Sequence, residues 1–305
     1  MSAARDAGTA DGRRAVGMLL LVGAVGCFAC LDATAKWVNQ TTDPMLTVIA
    51  RYLGSFLLTL LLCNPLTRAG LPRTRSFALQ CARALCLVVA TVSSFFAFRH
   101  LPLTQATSIV FVAPLLVALA AGPLLGEWPG PRRLGAVAVG FVGVLVVTRP
   151  WSGRIEPAVL LAVLTACANA LYAVLTRLLA KRDRPLTTLF YSGLIGCAVV
   201  LPALPWVQGG APPAPVWLAF AALGSFGAVG HFLLILAHAR APAATLAPFF
   251  YAQLLGATLL GWLVFGEVPS RWTALGGSII AVSGLYLLYR EQVRGGGGQR
   301  RRQAS

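Results

Sequence analysis

The chain has 305 residues, of which 57% are hydrophobic and only 11% are charged. A typical soluble domain carries about 25% charged residues, so this composition excludes a soluble globular domain and a disordered chain. The formal net charge is +16, from 25 Lys and Arg residues against 9 Asp and Glu residues. Because a basic balance is also typical of nucleic-acid-binding proteins, its meaning depends on where the charges lie.

Ten apolar segments follow one another along the chain, each near the roughly 20 residues that a membrane-spanning helix needs. They cover residues 15–38, 44–64, 76–98, 103–125, 131–149, 156–180, 186–207, 215–237, 243–265 and 271–289. The short breaks between them contain proline or glycine, the usual residues between helices. No segment alternates apolar and polar residues along its length, as a strand of a membrane barrel does. The sequence therefore predicts an all-α polytopic membrane protein with ten transmembrane helices.

The first apolar segment also has features of a secretory signal peptide. Arg13 and Arg14 precede it, and Ala33-Thr34-Ala35 resembles a small-residue cleavage site. Since nine further apolar segments follow, we interpret this one as the first transmembrane helix.

The basic residues are distributed unevenly between the two sides of the membrane. When the loops are assigned alternately, 18 of the 25 lie on the side of the N-terminus, 5 lie on the other side, and Arg51 and Arg83 lie within helices. The positive-inside rule then places both termini in the cytoplasm, as an even number of helices also requires. We expect a multi-pass protein of the bacterial inner membrane, with a cytoplasmic segment at 1–14 and a basic cytoplasmic tail at 291–305 that can touch anionic lipids. Nucleic acid is not an expected partner.

The sequence repeats itself once. Four residues of the first half recur 140 residues later, as the pairs Pro102/Pro242, Gly126/Gly266, Glu127/Glu267 and Pro129/Pro269. Lys36 and Arg177 match at a shift of 141. The repeat spans five helices, so the halves are 15–149 and 156–290, and an odd number of helices turns the second copy upside down in the membrane. Inverted repeats are a signature of secondary transporters, with the substrate site between the halves.

Two longer stretches carry the motifs of this repeat. They are Leu101-Pro102-Leu103 through Gly126-Glu127 to Gly143, and Ala247-Pro248-Phe249-Phe250-Tyr251 through Gly266-Glu267 to Gly284. In both, the fourth helix of a half ends in Gly-Glu. The pattern resembles the EamA branch of the drug/metabolite transporter superfamily over residues 15–290. The resemblance implies two inverted five-helix repeats and transport by alternating access, in a family whose substrates include amino acids, cofactors, opine-type metallophores, sugars and drugs. In one departure, Leu254 stands where the first half has Pro114, so we expect any helix break to differ between the halves.

Among the charged residues of the predicted helices, four are candidates for a role in transport: Asp32, Lys36, Arg51 and Arg83. A charge inside the bilayer costs about 2.5–3.5 kcal/mol on insertion scales, so each needs a partner, a water-filled cavity or a role. Asp32 and Lys36 share a helix face, which predicts either a self-neutralising pair or a site for coupling to an ion such as a proton. The two arginines either tie helices together or face the substrate.

If these four residues face the cavity, they sum to two positive charges, which favours a small anionic or zwitterionic organic substrate. Polar and aromatic residues elsewhere in the spans are further candidates for binding: Asn169, Tyr172, Tyr191, His231, Tyr251 and Gln253. An interhelical hydrogen bond is the alternative role of each. We expect Glu127 and Glu267 to be structural residues at helix ends, bonded to the start of the next helix and outside the substrate site.

The energy source is not ATP hydrolysis within this chain, because no G-x-x-x-x-G-K-[ST] phosphate loop occurs. The membrane potential drives an anion outward, so the first hypothesis is export of an amino-acid derivative or an opine-type metallophore. The alternative is uptake of a flat aromatic cofactor such as riboflavin.

A membrane-embedded enzyme is a third hypothesis, from another class. It would need clustered acidic or histidine side chains at membrane depth, whereas His100, His231 and His238 are scattered. Cys27 and Cys30 lie within the first span and are interpreted as small hydrophobic residues. We therefore expect no enzyme activity, no cofactor and no metal; the expected partners are the substrate, the lipid and, as an open alternative, a second copy of the chain.

Overall fold

The computed structural model describes residues 2–62, 73–125, 130–152, 156–179, 182–240 and 246–303. This part of the chain is almost entirely helical and contains no strand. Its α-helices are α1 (Ser2–Val38), α2 (Pro44–Leu62), α3 (Phe77–Phe98), α4 (Leu103–Val110), α5 (Ala113–Leu125), α6 (Pro131–Thr148), α7 (Pro157–Leu179), α8 (Pro185–Val200), α9 (Ala214–Arg240), α10 (Ala252–Phe265) and α11 (Arg271–Gln303). Short 3-10 helices lie at Pro150–Ser152, Leu201–Trp206 and Ala247–Tyr251.

Proline begins several of these helices. The first residues of α2, α6, α7 and α8 are Pro44, Pro131, Pro157 and Pro185. Proline suits this position because its missing N–H would have no partner in the first turn and its φ angle is already helical. The prolines that separate the apolar segments in the sequence therefore also start the helices.

The all-α polytopic membrane fold is confirmed. Within the described residues, 8 helical spans are long and apolar enough to cross a membrane, and Phe249–Phe265 is a shorter apolar helix. The tenth predicted span lies within α11. The terminal helices are longer than the sequence predicts, because α1 begins at Ser2 and α11 continues to Gln303, through the segment expected to form a tail.

Each half contains an interrupted fourth helix. In the first half, Phe111 and Val112 separate α4 from α5, and Pro114 is the second residue of α5. In the second half, the 3-10 helix Ala247–Tyr251 leads directly into α10. The interruptions fall at equivalent positions of the repeat but differ in geometry, as the exchange of Pro114 for Leu254 predicts.

The helices of the two halves pack against each other in matched pairs. The first helix of the first half, α1, packs on α9, and the first helix of the second half, α7, packs on α3. In the same way α2 packs on α9 and α8 packs on α3, while α6 packs on α11. Exchanging the halves reproduces these contacts, so the duplicated sequence folds as two equivalent units around a shared interior.

Glycines allow the closest approach between α2 and α9. A Cβ atom added at Gly54 would lie 2.9 Å from the Cα atom of Gly224, and one added at Gly224 would lie 2.7 Å from the Cα atom of Gly54. Real Cβ atoms do not come this close to backbone, so a side chain at either position would separate the helices. Small residues at such contacts are typical of helices that pack within a membrane.

The polar residues lie inside the bundle and many large apolar residues lie outside. Leu61, Leu259 and Val282 expose more than half of their surface, as expected for side chains that face lipid. The interior buries polar side chains, among them Lys36, Arg51, Gln80, Arg83, Thr91, Ser93 and Thr107. Polar groups in a membrane face the bundle interior when they have partners or a role, so the candidate site lies there.

Candidate functional site

At one end of the bundle, a buried lysine forms an ion pair with a half-buried glutamate. The Nζ atom of Lys36 lies 2.8 Å from Oε1 of Glu267 and donates a 2.5 Å hydrogen bond to the carbonyl oxygen of Leu101. The other carboxylate oxygen of Glu267 accepts a 2.9 Å hydrogen bond from the backbone N–H of Leu103, the first residue of α4. We call these four residues the Lys36 cluster. It joins the end of α1 to the connection before α4 and the connection after α10.

The backbone after α10 aims Glu267 at this cluster. Gly266 has a φ of 66°, a left-handed conformation that glycine adopts without steric cost. The N–H groups of Gly266 and Glu267 then bond back to the carbonyls of Trp262 and Gly261, at 3.0 Å each. The glycine of the Gly-Glu motif is thus explained by the turn that ends the helix.

Of the two alternatives for Asp32 and Lys36, the self-neutralising pair is not formed, and the bonding partner of Glu267 also differs from the expected one. Lys36 pairs with Glu267 and not with Asp32, although Asp32 lies one turn away on the same helix. Glu267 bonds to the start of α4 in the other half and not to the following helix. The reason is electrostatic: the first N–H groups of a helix have no partner within it and attract a carboxylate, which then neutralises the lysine. Glu127, the repeat equivalent of Glu267, lies outside the described residues.

At the opposite end of α3, hydroxyl groups surround Arg83. Its Nε, Nη1 and Nη2 atoms donate to Thr176 at 2.6 Å, Ser192 at 2.6 Å and the Tyr172 hydroxyl at 2.5 Å. Its Cζ atom also lies 4.3 Å from the centre of the Tyr172 ring. We call these four residues the Arg83 cage. It ties α3 to α7 and α8 and satisfies all three nitrogen atoms of the guanidinium group.

Asp183, in the connection between α7 and α8, forms hydrogen bonds with the start of α3, about one helical turn before Arg83. The Asp183 carboxylate accepts hydrogen bonds from the backbone N–H of Arg75 at 3.0 Å, from Nε2 of Gln80 at 2.9 Å and from the Thr74 hydroxyl. Burial opposes the charged form of Asp183, but these three hydrogen bonds outweigh it and lower its pKa below the ordinary value. The carboxylate therefore stays ionised at neutral pH.

Arg51 has a sparser environment than Arg83. Its Nη1 atom donates to Thr91 at 3.0 Å, and its Cζ atom lies 5.0 Å from the ring centre of Tyr52. Only 9% of the residue is exposed, and its Nε atom is buried without a hydrogen-bond partner in the described part of the chain. Arg51 therefore has a donor that no described residue uses.

An amide and a carboxylate meet between α1 and α10. The Nε2 atom of Gln253 donates a 3.0 Å hydrogen bond to Oδ2 of Asp32. One turn earlier on α1, the ring of Phe28 lies 5.0 Å from that of His231 in an edge-on contact. Both members of the Asp32–Gln253 pair are half-buried, so they line the interior without filling it.

The two interrupted helices touch each other through aromatic rings. Phe111 lies at the break of the first half and Tyr251 at the break of the second, and their ring centres are 5.2 Å apart. The two residues are separated by the 140 positions of the repeat, so they are equivalents that meet near the axis relating the halves. The Tyr251 hydroxyl is buried and has no partner among the described residues.

The structure brings two pairs of the predicted binding residues into direct contact, Arg83 with Tyr172 and Asp32 with Gln253. Arg51 and His231 contact other side chains of the interior. Tyr191 instead packs its ring against Phe77 and Phe190. Asn169 is half-buried on α7, and no described contact joins it to either arginine.

The net positive charge of the candidate residues in the interior is smaller than the sequence predicts. The predicted excess of two positive charges included Lys36, which Glu267 neutralises. Asp32, Arg51 and Arg83 leave a single positive charge. Among the described residues, neither arginine has a carboxylate within ion-pair distance, and no group of three or more His, Cys, Asp or Glu side chains could hold a metal ion.

Several residues that surround the arginines were not predicted. They are Tyr52, Thr91, Thr176 and Ser192. Hydroxyl groups in apolar helices commonly bond to their own backbone, so a serine or threonine within a span carries little signal of its role. A surface cavity of about 420 Å³ lies at the connections around Thr41 and Gly209 and includes none of the candidate residues.

Two equivalent helical halves around a polar interior, each with an interrupted fourth helix, define the class of a secondary transporter. The model of the EamA-like transporter family matches residues 15–149 and again residues 156–290. The chain belongs to this family.

The curated relatives are transporters. A riboflavin transporter of Brucella anthropi is 28% identical over 89% of this chain and 98% of its own length. A riboflavin transporter of Rhizobium johnstonii is 31% identical over 92% of this chain and 94% of its own length. An S-adenosylmethionine uptake transporter of Rickettsia prowazekii is 26% identical over 86% of this chain and 88% of its own length.

Proposed function

We propose that the protein takes up a flat aromatic cofactor of the riboflavin type. The observation that carries the proposal is the contact between Phe111 and Tyr251, 5.2 Å apart where the two fourth helices are interrupted. Broken helices mark substrate sites in transporters built from repeats, and aromatic rings at that place offer a stacking surface to a flat ligand. The names of the riboflavin transporters among the relatives support the same substrate.

The polar groups near these rings suit the rest of such a molecule. A small number of well-placed polar groups orients a mostly apolar ligand, and riboflavin has a polyhydroxyl chain and a polar ring edge. Arg51 offers an unused N–H donor, and its planar guanidinium group also stacks on flat rings. A single residual positive charge does not oppose an uncharged substrate.

Transport follows from closing one end of the interior at a time. The charge distribution along the loops supports a cytoplasmic location of both termini in the inner membrane, which puts the Lys36 cluster at the outer end. The repeat pairs Lys36 with Arg177 and Glu267 with Glu127. In this proposal the Lys36 cluster closes the outer end, and the halves 15–149 and 156–290 move against each other to open it.

In this proposal ion coupling involves Asp32. Lys36, the other candidate, forms an ion pair with Glu267. Asp32 contacts Gln253 in the interior, so its protonation would change the charge of the site itself. The proposal requires the substrate and the surrounding lipid, without catalysis and without a second copy of the chain.

Counterflow in proteoliposomes tests the proposed substrate. Vesicles that contain the purified protein are loaded with unlabelled riboflavin and diluted into labelled riboflavin. We expect a transient, saturable accumulation of label, and we expect Tyr251→Ala to reduce it about 10-fold by removing a stacking ring. The control is Leu259→Ala, which changes a lipid-exposed side chain and should transport normally. Accumulation no greater than in empty vesicles would refute riboflavin as the substrate.

A second function is favoured by one observation. Arg51 has an unused donor and no acidic partner among the described residues, so it is suited to a carboxylate or phosphate, which supports export of an anionic or zwitterionic metabolite. The same vesicles, loaded with opine-type or other amino-acid-derived carboxylates, separate the two functions. Exchange of labelled carboxylate without exchange of riboflavin would favour export.

A further inference from the structure

We propose that Gln253, held in place by Asp32, recognises the imide edge of the flat ring, the N–H group that lies between two carbonyls. The inference rests on the proposed function and assigns a specific role within it. The Asp32–Gln253 pair lies in the shared interior, on α1 of the first half and α10 of the second. A ligand bound there would contact both halves.

The hydrogen bond to Asp32 fixes which way the amide of Gln253 points. An amide side chain has two N–H donors on one atom and a carbonyl acceptor on the other. Because Asp32 offers only acceptors when ionised, Nε2 faces it at 3.0 Å and Oε1 points away. The described residues include no donor to Oε1. Gln253 is therefore left with one acceptor and one spare N–H donor.

An acceptor next to a donor is the complement of an imide or lactam edge. Glutamine and asparagine recognise adenine in DNA by the same two-point geometry, with one bond given and one accepted. In riboflavin, the ring N3–H would donate to Oε1, and a neighbouring ring carbonyl would accept from the spare N–H. A ligand without a free N–H at that position can make only one of the two bonds.

Aromatic side chains flank the pair on both helices. Phe28 lies one turn before Asp32 on α1 and contacts His231. Tyr251 lies two residues before Gln253 and contacts Phe111. A flat ring whose edge meets Gln253 would have Phe28 as its neighbour on α1, whereas Tyr251 lies on another side of its own helix. Stacking and edge recognition together are the means by which proteins bind extruded bases.

A purely structural role for the pair makes a different prediction. If the bond only ties α1 to α10, removing it affects all ligands of the site equally. If Gln253 recognises the ring edge, the effect depends on whether the ligand carries the N–H. The comparison of two ligands that differ at one atom therefore separates the roles, and the binding assay does not need a transport-competent variant.

The test measures binding of riboflavin and of N3-methylriboflavin to the detergent-purified full chain, through the change in flavin fluorescence. The wild-type protein should bind riboflavin at least about 10-fold more tightly, since one two-point contact discriminates by this order. In Gln253→Met, which keeps the side-chain length, riboflavin affinity should fall to that of the methylated analogue. Affinity for the analogue itself should change less than about 2-fold, because the methyl group already removes the bond.

Each outcome decides a separate claim. If the wild-type protein binds both flavins equally, or if Gln253→Met still prefers riboflavin, the imide edge is not recognised by Gln253 and the proposed function stands. If the wild-type protein binds neither flavin, the proposed function and this inference fall together. Should the variant not fold, equal binding of the two flavins by the wild-type protein would still overturn the inference.

Discussion

The two ends of the bundle are fastened by different chemistry. At one end, Lys36 and Glu267 form a largely buried ion pair. The same two side chains form hydrogen bonds with backbone groups of Leu101 and Leu103 around the start of α4. At the other end, Asp183 accepts hydrogen bonds from neutral donors at a partly exposed site. The Arg83 cage lies one helical turn deeper in the bundle. There too the charged group is bonded only to uncharged hydroxyl groups.

This difference indicates how easily each end opens. Separating a buried ion pair leaves charges in an apolar surrounding, which is costly. Separating an exposed carboxylate from its donors exposes both to water, which replaces the lost bonds at little cost. We therefore expect the Asp183 end to open more readily than the Lys36 end. Four substitutions test this contrast, in order of decreasing expected effect.

Glu267→Gln should cost the most stability. It leaves Lys36 buried without a counter-ion, and breaking a buried pair in this way costs about 3–5 kcal/mol. Thermal unfolding of the detergent-solubilised protein measures the loss. The double variant Lys36→Met with Glu267→Gln removes both charges and should recover most of it. If the single variant were as stable as the wild type, the Lys36 cluster would not be the stronger fastening.

Arg83→Met should cost about 2–3 kcal/mol. A hydrogen bond to a charged group contributes roughly 1.5–3 kcal/mol, but Thr176 and Ser192 also bond to carbonyls of their own helices and so stay satisfied. Arg83→Lys is the matched control, because lysine keeps the positive charge but lacks the planar set of N–H donors of the guanidinium group. A similar loss in both variants supports the cage. Full stability of the lysine variant would show that charge alone matters there.

Arg51→Gln should cost only about 1 kcal/mol of stability, since a single hydrogen bond to Thr91 is lost. Its effect should appear in binding instead, as an affinity for riboflavin about 10-fold lower, measured by flavin fluorescence. Arg51 and Arg83 are both buried arginines, so each is the control for the other. A stability loss as large as that of Arg83→Met would remove the distinction between a cage and a ligand-facing group.

Asp183→Asn should have the smallest effect, below about 1 kcal/mol at neutral pH, because the site is partly exposed to water. The lowered pKa of Asp183 sets the pH dependence. Its stabilisation is fully present above the ordinary pKa of an aspartate and is lost as the pH falls through the lowered value. Unfolding temperatures of the wild type and the variant should therefore converge in acid. A gap that widened in acid would contradict this assignment.

Much of the fold could be predicted from local sequence. Apolar length placed the membrane spans, and proline marked the helix starts, because both are properties of a few consecutive residues. The duplicated Gly-Glu motif indicated the two halves, and Gly266 is explained by its left-handed turn. The terminal helices extend further than predicted, because polar segments next to an apolar span carry no signal for where the helix stops.

The candidate site was predicted less completely. The charged residues were identified because charge is rare in a membrane span. Their surroundings could not be identified, because Thr91, Thr176 and Ser192 look like ordinary hydroxyls of apolar helices. Tyr191 was assigned to the site for its residue type, whereas the turn of α8 places its ring against Phe77 and Phe190.

The sequence by itself determined the class of this protein: an all-helical membrane protein made of two repeats. Only the tertiary structure decided which charges neutralise each other. Lys36 has an acidic neighbour one turn away, yet it pairs with Glu267 from the other half of the chain. The physical reason is that hydrophobic length and helix starts are local properties, whereas the energy of a buried charge depends on every group that folding brings near it.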